Sequence, residues 1–211
     1  KRINRHLNQR SEMLSGISHD LRTPLTRLKL QLAMLNQKEI SARMSKDIDE
    51  MEKMLNNYLQ FAKTQAAEKS SSININDFFQ KIVNELNSKN LYLTVNPKEI
   101  ILVARQSALR RCFNNLIQNG LSYGKKVYIN LEHTGNRLLV LIDDDGPGIP
   151  IDQYKNVFKP FFRLDRSRSL NTSGVGLGLS IAEDIIVSHG GNIRLGKSNY
   201  NGLQVKISLP F

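Results

Sequence analysis

The chain has 211 residues and a mass of 24.0 kDa, which suits one large domain or two small ones. Its apolar runs are too short to cross a membrane, and its single cysteine excludes an internal disulfide. The net charge of +11 indicates attraction to an anion or a solvated basic surface, but no basic block with interleaved aromatic residues favours nucleic-acid binding. Because the chain begins at Lys1 rather than Met, we expect it to be a fragment of a longer protein.

Apolar residues in 1–67 recur every three or four positions, which predicts two long helices joined by a turn near Asn36–Glu39. One hairpin of this length cannot bury both apolar seams, so we expect two hairpins to pair in a four-helix bundle. The alternative is one hairpin packed on the rest of its own chain. The first seam contains Ile3, Leu7, Leu14, Ile17, Leu21, Leu28 and Leu35, and the second contains Ile40, Met44, Ile48, Met51, Leu55, Tyr58 and Ala62.

The first helix carries a histidine that is directed away from its apolar seam. His19 lies two residues from both Ile17 and Leu21, about 200° around the helix, and therefore faces outward. A neutral imidazole is a nucleophile near neutral pH, and the adjacent Asp20 can orient the ring and accept its other proton. Pro24 cannot donate to the carbonyl of Asp20 and should bend the helix there. Taken alone, an ordinary surface histidine on a coiled coil is the simpler explanation.

A serine run at Ser70–Ser72 predicts a linker, after which helical and strand patterns are mixed. Because they do not alternate as a regular βαβ series, they favour an α+β layer with helices on one sheet face. A glycine pair at Gly190 and Gly191 should end the last helix. The predicted elements are helices at Asp77–Leu86 and Leu177–Ser188, and strands through Val127, Ile129 and Leu131, through Leu138–Ile142, and through Val205, Ile207 and Leu209.

Two polar motifs in this second part are candidates for nucleotide binding. Asn115 and Asn119 lie one turn apart on a predicted helix, and their amide oxygens are hard donors suited to Mg²⁺ beside phosphates. Asp144 ends a buried strand, where its carboxylate can accept from an exocyclic amine such as that of adenine. Gly146 and Gly148 then let the backbone approach a ring or phosphate. The alternatives are a solvated asparagine pair and an acidic turn.

A glycine run leads into the last helix, whose exposed amides form an anion site. The run lacks the preceding strand of a dinucleotide fold and the Lys-Ser/Thr of a P-loop, so both of those folds are disfavoured. The stretch before it is interpreted as a lid whose cations reach phosphates. The glycines are Gly174, Gly176 and Gly178, and the cations are Lys159, Arg163, Arg166 and Arg168.

The order of these motifs resembles that of bacterial two-component sensor histidine kinases over residues 11–211. Within that family, residues 19–27 and 158–163 look most similar to osmosensor kinases. The resembling segments are the phosphoacceptor box Ser18–Leu25, the N box Asn115–Asn119, the G1 box Asp144–Gly148, the F box Phe158–Phe162 and the G2 box Gly174–Gly178.

The resemblance implies an antiparallel helical hairpin that dimerises into a four-helix bundle and carries the phosphoacceptor, over residues 1–69. A linker at 70–75 would lead to an ATP-binding domain at 76–211. That domain would be an α+β sandwich of the histidine kinase, gyrase and heat-shock chaperone type. The partners implied are a second copy of the chain and the receiver domain of a response regulator. Nucleic acid is not implied, and membrane contact would occur only through upstream segments of an inner-membrane protein with a cytoplasmic kinase.

The same resemblance implies a role for each candidate residue, with ATP and Mg²⁺ as ligands. His19 would accept phosphate on Nε2, and Asp20 would be its adjacent base. Thr23 would position water when the domain dephosphorylates its regulator. Asn119 would bind Mg²⁺ together with Asn115. Tyr123 would stack near adenine, and Asp144 would recognise the adenine amino group. Lys159 and Arg163 would contact phosphates, and the pocket and lid would be shaped by Gly146, Gly148, Gly174, Gly176 and Gly178.

The chain departs from the family pattern at Gly120, usually Ala, and at Ser122, often Lys. Glycine inside a helix costs about 1 kcal/mol relative to alanine, so we expect a softer helix without loss of activity. One alternative function is an ATP-hydrolysing machine such as gyrase, in which Glu usually stands at the position of Asn115. Another is an interaction module without catalysis, which the intact His19 and Asp144 argue against.

Overall fold

The structure is a computed structural model in which the chain divides into two compact units, Lys1–Glu68 and Lys69–Phe211. The residues that it describes are 24–32, 40–42, 44–45, 48–49, 51–52, 68–96, 98–164 and 176–211.

The first unit is helical at every residue described between 24 and 52. Lys29 joins its two helical segments, because its Nζ lies 2.7 Å from Asp49 Oδ1 and 2.8 Å from Glu52 Oε2. These contacts fit two helices side by side. The turn predicted near Asn36–Glu39 lies outside the described residues.

Apolar side chains of this helical unit differ sharply in exposure. Leu32 and Ile48 are only 4% and 6% exposed, respectively, so one residue of each segment is buried. Leu28 was predicted on the same seam as Leu35, but 45% of its surface is exposed. The large apolar residues left exposed in the described parts of this unit are Leu28, Leu30, Ile40, Met44 and Met51.

The second unit combines a two-stranded and a five-stranded sheet with three helices in the described residues. Strand order is β1-β3 in the small sheet and β2-β4-β5-β7-β6 in the large one, where only β2 and β4 are parallel. The strands are β1 Ser71–Asn74, β2 Leu91–Thr94, β3 Ile101–Ala104, β4 Val127–Thr134, β5 Arg137–Asp144, β6 Asn192–Lys197 and β7 Leu203–Pro210, and the helices are α1 Ile75–Leu86, α2 Gln106–Tyr123 and α3 Gly178–Ser188.

The helices and strands predicted after residue 75 are confirmed, with one correction at the proposed linker. Residues 71–74 are not a free connection but form β1, which pairs with β3. The next residue already begins α1, where Asn74 Oδ1 accepts from the Asp77 N–H at 3.2 Å and caps the helix. Because serine is a poor strand former, the serine run concealed this strand.

The core lies between the helices and one face of the large sheet. On β4, Val127, Ile129 and Leu131 are buried and alternate with partly exposed residues, so one face is covered. Phe79 of α1 and Phe113 of α2 are fully buried, with ring centroids 4.6 Å apart. The expected α+β layer with helices on one sheet face is therefore confirmed.

Helices α2 and α3 lie antiparallel, joined near both ends. At one end, the backbone N–H of Arg105, which precedes α2, donates to Nε2 of His189 at 3.2 Å. His189 follows α3, and its Nδ1 lies 2.7 Å from the Ile185 carbonyl oxygen. At the other end, Asn119 of α2 lies against Gly178, the first residue of α3. This arrangement places the asparagine motif beside the glycine-rich helix start.

Candidate functional site

Asp144 is held in a fixed orientation at the end of β5. It is only 7% exposed, and its Oδ1 accepts from the N–H of Gly146 at 2.9 Å and of Leu203 at 3.0 Å. Among the described residues no hydrogen bond reaches its other oxygen, Oδ2. The carboxylate thus has one oxygen fixed by the protein and a second oxygen available to a ligand.

The surroundings of Asp144 also change its proton affinity. Burial raises the pKa of this carboxyl above its ordinary value, and the neighbouring charges of Asp145 and Asp143 act in the same direction. The N–H groups of Leu203 and Gly146 lower the pKa and offset part of this rise. A strong hydrogen-bond donor would stabilise the ionised form in the same way.

Two glycines allow the backbone to pass very close to this carboxylate. A Cβ added at Gly202 would lie 2.2 Å from Asp144 Oδ1 and 2.3 Å from its carbonyl oxygen. One added at Gly146 would lie 2.9 Å from the carbonyl oxygen of Tyr123, at the end of α2. Gly202 was not identified from the sequence, because it belongs to no motif and its neighbours resemble an ordinary hairpin turn.

Asn119 of α2 lies against the start of α3, and the residue after it, Gly120, lies against Asp144. A Cβ added at Gly178 would lie 3.1 Å from Asn119 Nδ2, so glycine permits this close approach. No side chain among the described residues caps the first turn of α3, so its N–H groups can receive an anion. Asn115 lies one turn before Asn119 on α2 and is half-buried.

Gly120, which follows Asn119 on α2, is the first of the two departures from the family pattern, and its surroundings explain it. It is buried, and an added Cβ would lie 2.8 Å from Val127 Cγ2 and 3.6 Å from Asp144 Cβ. The helix nevertheless continues to Tyr123 without a break. The absence of a side chain at Gly120 therefore lets α2 lie close to Val127 of β4 and to Asp144 at the end of β5. Ser122, the second departure, is exposed, and its Oγ donates to the Gln118 carbonyl.

Asp145 braces the turn between α2 and β4. Its Oδ1 accepts from the backbone N–H groups of Lys125 at 2.6 Å and Lys126 at 2.8 Å. The N–H groups of Lys126 and Lys125 lower the pKa of Asp145. An added Cβ at Gly124 would lie 2.7 Å from that Oδ1, so this position also requires a small residue. The brace fixes the end of α2 next to Asp144.

The other predicted site residues are distributed around this centre. Tyr123 is 56% exposed at the end of α2, which leaves its ring accessible for stacking. Gly148 has φ of +70° and lies against Gly202, where an added Cβ would be 3.4 Å from the carbonyl oxygen. Lys159 is exposed, and its Nζ donates to Asn156 Oδ1 at 2.7 Å.

A backbone hydrogen bond joins the two ends of the segment that contains the predicted lid. The N–H of Phe161 donates to the carbonyl of Gly176 at 2.9 Å. Both residues have positive φ, +65° and +74° respectively. Arg163 is exposed immediately beyond this point. Several predicted positions lie outside the described residues, namely His19, Asp20, Thr23, Arg166, Arg168 and Gly174.

A cleft of about 390 Å³ lies next to the site and is lined in part by Gly148, Ile149, Tyr154, Lys197 and Gly202. Neither Asp144 nor Asn119 belongs to its lining, so the cleft is not the space between the candidate nucleotide-binding residues.

The donor set fits a nucleotide and, with it, a magnesium ion. A purine amine can donate to Asp144 Oδ2, and the free amides of α3 can receive phosphate. The described residues contain no group of three or more His, Cys, Asp or Glu side chains that could hold a metal. Mg²⁺ would therefore share nucleotide phosphates with amide oxygens of Asn119 and Asn115, which suits its preference for oxygen ligands.

Two protein-family models match the chain in the predicted order. Residues 9–67 match the His Kinase A (phospho-acceptor) domain, and residues 104–211 match the histidine kinase-, DNA gyrase B- and HSP90-like ATPase. The second match covers just over half of the chain and contains both Asn119 and Asp144. The chain belongs to the histidine kinase family. It carries the phosphoacceptor domain and the ATP-binding domain of a protein-histidine kinase.

Known sensor kinases are similar to this kinase over nearly its whole length. GtrS from Pseudomonas aeruginosa is 36% identical over 211 residues, covering 100% of this chain and 44% of GtrS. CpxA from Escherichia coli is 32% identical over 222 residues, covering 99% of this chain and 48% of CpxA. The solved kinase domain of the E. coli osmosensor EnvZ superposes with a TM-score of 0.52 at 27% identity, covering 66% of this chain and 88% of that domain.

The chain therefore spans about half the length of the curated relatives it matches. Among the described residues, no helix combines the length and the apolar character needed to cross a membrane.

Proposed function

We propose that this kinase uses ATP to phosphorylate its own His19 and then passes the phosphate to an aspartate of a response regulator. The unit Lys1–Glu68 would carry the phosphoacceptor, and the unit Lys69–Phe211, which includes β1, would bind ATP. The observation that carries the proposal is that α2 reaches both parts of the site: its Gly120 lies against the fixed carboxylate of Asp144, whose Oδ2 is available, and its Asn119 lies against the start of α3.

Adenine recognition is assigned to Asp144 and Tyr123. Asp144 Oδ2 accepts from the exocyclic amine of adenine, and Tyr123 stacks on or near the ring. The close packing of Gly146 and Gly148 keeps this part of the pocket narrow. The phosphates lie toward Gly174, Gly176 and Gly178 at the start of α3, and Lys159 and Arg163 supply positive charge from the lid.

Asn119 and Asn115 are assigned to Mg²⁺ together with the nucleotide phosphates. Mg²⁺ held by these two amides would neutralise charge on the nucleotide phosphates. Asn119 also contacts the start of α3 through Gly178, so it can couple metal position to the glycine-rich loop. The chain's contribution is to hold the amide oxygens toward the phosphates.

At the phosphoacceptor, His19 attacks the γ-phosphorus in line, and the bond from that phosphorus to the β,γ-bridging oxygen breaks, with ADP leaving. Asp20 stabilises the positive charge that develops on the imidazole and accepts its other proton. The phosphoryl group then moves from His19 to the aspartate of the regulator's receiver domain. Thr23 positions water for the opposite task, the hydrolysis of the regulator's phospho-aspartate.

The active form is proposed to be a homodimer formed through the helical unit. Leu28, Ile40, Met44 and Met51 belong to the predicted seams and remain about half exposed in a single chain. Covering these side chains with a second hairpin would remove apolar surface from water. In the whole protein, we assign the kinase to the cytoplasmic side of the inner membrane, anchored by upstream segments.

Two variants test the central assignment. His19→Gln should abolish ATP-dependent, acid-labile labelling but keep ADP binding within about twofold, because the nucleotide residues lie in the other unit. Asp144→Asn should weaken ADP binding by about tenfold, since it replaces a charged acceptor by a neutral amide. Labelled ATP and calorimetric ADP titration measure these outcomes. Acid-labile phosphate retained by the His19 variant would refute the proposal.

A further inference from the structure

The hairpin between β6 and β7 supplies half of the hydrogen bonds that fix Asp144. Leu203 donates its N–H to Asp144 Oδ1 at 3.0 Å, and Gly202 packs directly against the same carboxylate. A displacement of this hairpin would therefore alter the direction of Oδ2 as well. The position of a remote loop thus affects the carboxylate that is proposed to recognise adenine.

The loop itself is short and internally bonded. The N–H of Ser198 donates to the carbonyl of Gly202 at 3.0 Å, and that of Asn201 donates to the carbonyl of Ser198 at 3.2 Å. Asn201 has φ of +72°, a left-handed conformation that few residues adopt readily. The N–H of Tyr200 donates to Ser198 Oγ at 3.0 Å. Because these bonds lie within the loop, they fix its shape but not its position.

Besides the pairing of β6 with β7, a stack of three tyrosine rings ties the tip of the loop to the sheet. Tyr200, at the loop tip, stacks on Tyr128 of β4 with centroids 3.8 Å apart and planes 12° apart. Tyr128 stacks in turn on Tyr92 of β2, with centroids 5.0 Å apart and planes 16° apart. The buried side chains of β4 alternate with Tyr128, so the stack lies on the opposite sheet face from the helices.

The stack contacts the sheet next to the carboxylate. Tyr128 is paired across the sheet with Asp143, the residue before Asp144. Asp143 also accepts from Gln204 Nε2 at 3.1 Å, which ties the other end of the hairpin to the same strand. Tyr200 and Gln204 therefore hold the two sides of Gly202 and Leu203.

We propose that Tyr200 is a positioning residue for nucleobase recognition, which it serves by stacking on Tyr128 and so keeping the Leu203 N–H on Asp144 Oδ1. The inference rests on the proposed adenine contact of Asp144. Tyr200 lies outside the five sequence motifs, and its ring touches the sheet face away from the helices rather than the proposed pocket. Its effect on the nucleotide is transmitted through the backbone of the hairpin.

The test compares ADP with IDP, whose base carries an oxygen in place of the 6-amino group. Tyr200→Ala should raise the dissociation constant for ADP by about tenfold and that for IDP by less than twofold, because only ADP uses the carboxylate. Tyr200→Phe keeps the stacked ring and should remain within twofold for both nucleotides. Calorimetric titration of the unsubstituted chain and the two variants measures the six dissociation constants, with melting temperatures recorded in parallel.

Tyr92→Ala is the matched control. Tyr92 is 43% exposed and Tyr200 is 44% exposed, and each occupies one end of the same stack. The control variant loses one stacked ring but leaves Tyr200 on Tyr128. It should lower the melting temperature about as much as Tyr200→Ala, while the preference for ADP over IDP stays unchanged.

The outcomes separate this inference from the proposed function. Asp144→Asn should remove the preference for ADP, and if it does not, the adenine assignment is wrong and the inference falls with it. If Asp144→Asn removes the preference but Tyr200→Ala keeps it, only the inference is overturned. Equal weakening of ADP and IDP by Tyr200→Ala would also overturn it, because that result describes general loosening rather than positioning of the carboxylate.

Discussion

The two compact units differ in where their large apolar side chains end up. In residues 69–211, the rings of Phe78, Phe79 and Phe113 are buried within one chain. This unit also exposes large apolar residues, such as Val103 and Ile151, but its buried ones outnumber them. In the described parts of residues 1–68, by contrast, only Leu32 and Ile48 are buried, and five large apolar residues are 45% to 63% exposed. The ATP-binding unit therefore completes its own core, whereas the helical unit is left with apolar surface that a second copy can cover. A substitution in the ATP-binding unit should therefore leave dimerisation unchanged, and one on the exposed surface of the helical unit should leave ADP binding unchanged.

The largest effect expected is in the ATP-binding unit. Gly202→Ala would place a methyl group 2.2 Å from Asp144 Oδ1, so the backbone of the hairpin must move. We expect ADP affinity to fall by at least about 100-fold, or about 2.8 kcal/mol. Sedimentation should still show a dimer. Gly196→Ala is the control, because an added Cβ there has only ordinary contact with Gln204 and should leave ADP affinity unchanged.

The second effect concerns the helical unit alone. Leu28→Lys should weaken dimerisation by about 30-fold, because two half-exposed leucines would no longer be buried, while ADP binding stays normal. Leu30→Lys is the matched control: Leu30 is 63% exposed but lies outside the predicted seam. Sedimentation over a concentration series measures both variants. If both substitutions weaken the dimer equally, the prediction that Leu28 but not Leu30 lies on the dimer seam is wrong.

Thr23→Ala should separate two activities within the helical unit. A hydroxyl one turn from His19 can hold water in line for regulator dephosphorylation, but it is not needed when His19 itself is the nucleophile. We expect autophosphorylation within a few-fold of normal and dephosphorylation reduced by about tenfold, or roughly 1.4 kcal/mol of barrier. If Thr23 only supports the helix before Pro24, both rates and the melting temperature should fall together.

The smallest effect is a pH dependence that belongs to the ATP-binding unit. Because the pKa of Asp144 is raised, its carboxylate becomes protonated at a higher pH than an ordinary aspartate. ADP affinity should decline a few-fold as the pH is lowered from 7.5 to 5, and Asp144→Asn should lack this extra decline. This fall in ADP affinity is not caused by unfolding through Asp144. Because the pKa of Asp144 is raised in the folded protein, its contribution to the free energy of unfolding becomes more favourable as the pH falls through that pKa. Equal profiles for both proteins would contradict the assignment.

Sequence patterns predicted best the features that depend on residues within a single helix or strand. The alternation on β4 and the spacing of Asn115 and Asn119 predicted the strand and the helix that the structure contains. Gly202 and Tyr200 were not predicted, because their contacts with Asp144 and Tyr128 join segments about 60 to 70 positions apart. Such contacts depend on strand order, which no local pattern specifies. Strand β1 was missed for the same reason, since its pairing with β3 outweighs its serine content.

The hydrogen bond from Phe161 to Gly176 has a consequence for engineering. It joins the two ends of the segment between them, so the chain leaves and returns at one point regardless of how many residues lie between. Doubling the length of a flexible loop costs only about 0.6 kcal/mol in closure entropy. A peptide tag or a small reporter domain inserted between residues 165 and 175 would therefore leave the placement of Asn119 and Asp144 to the rest of the fold.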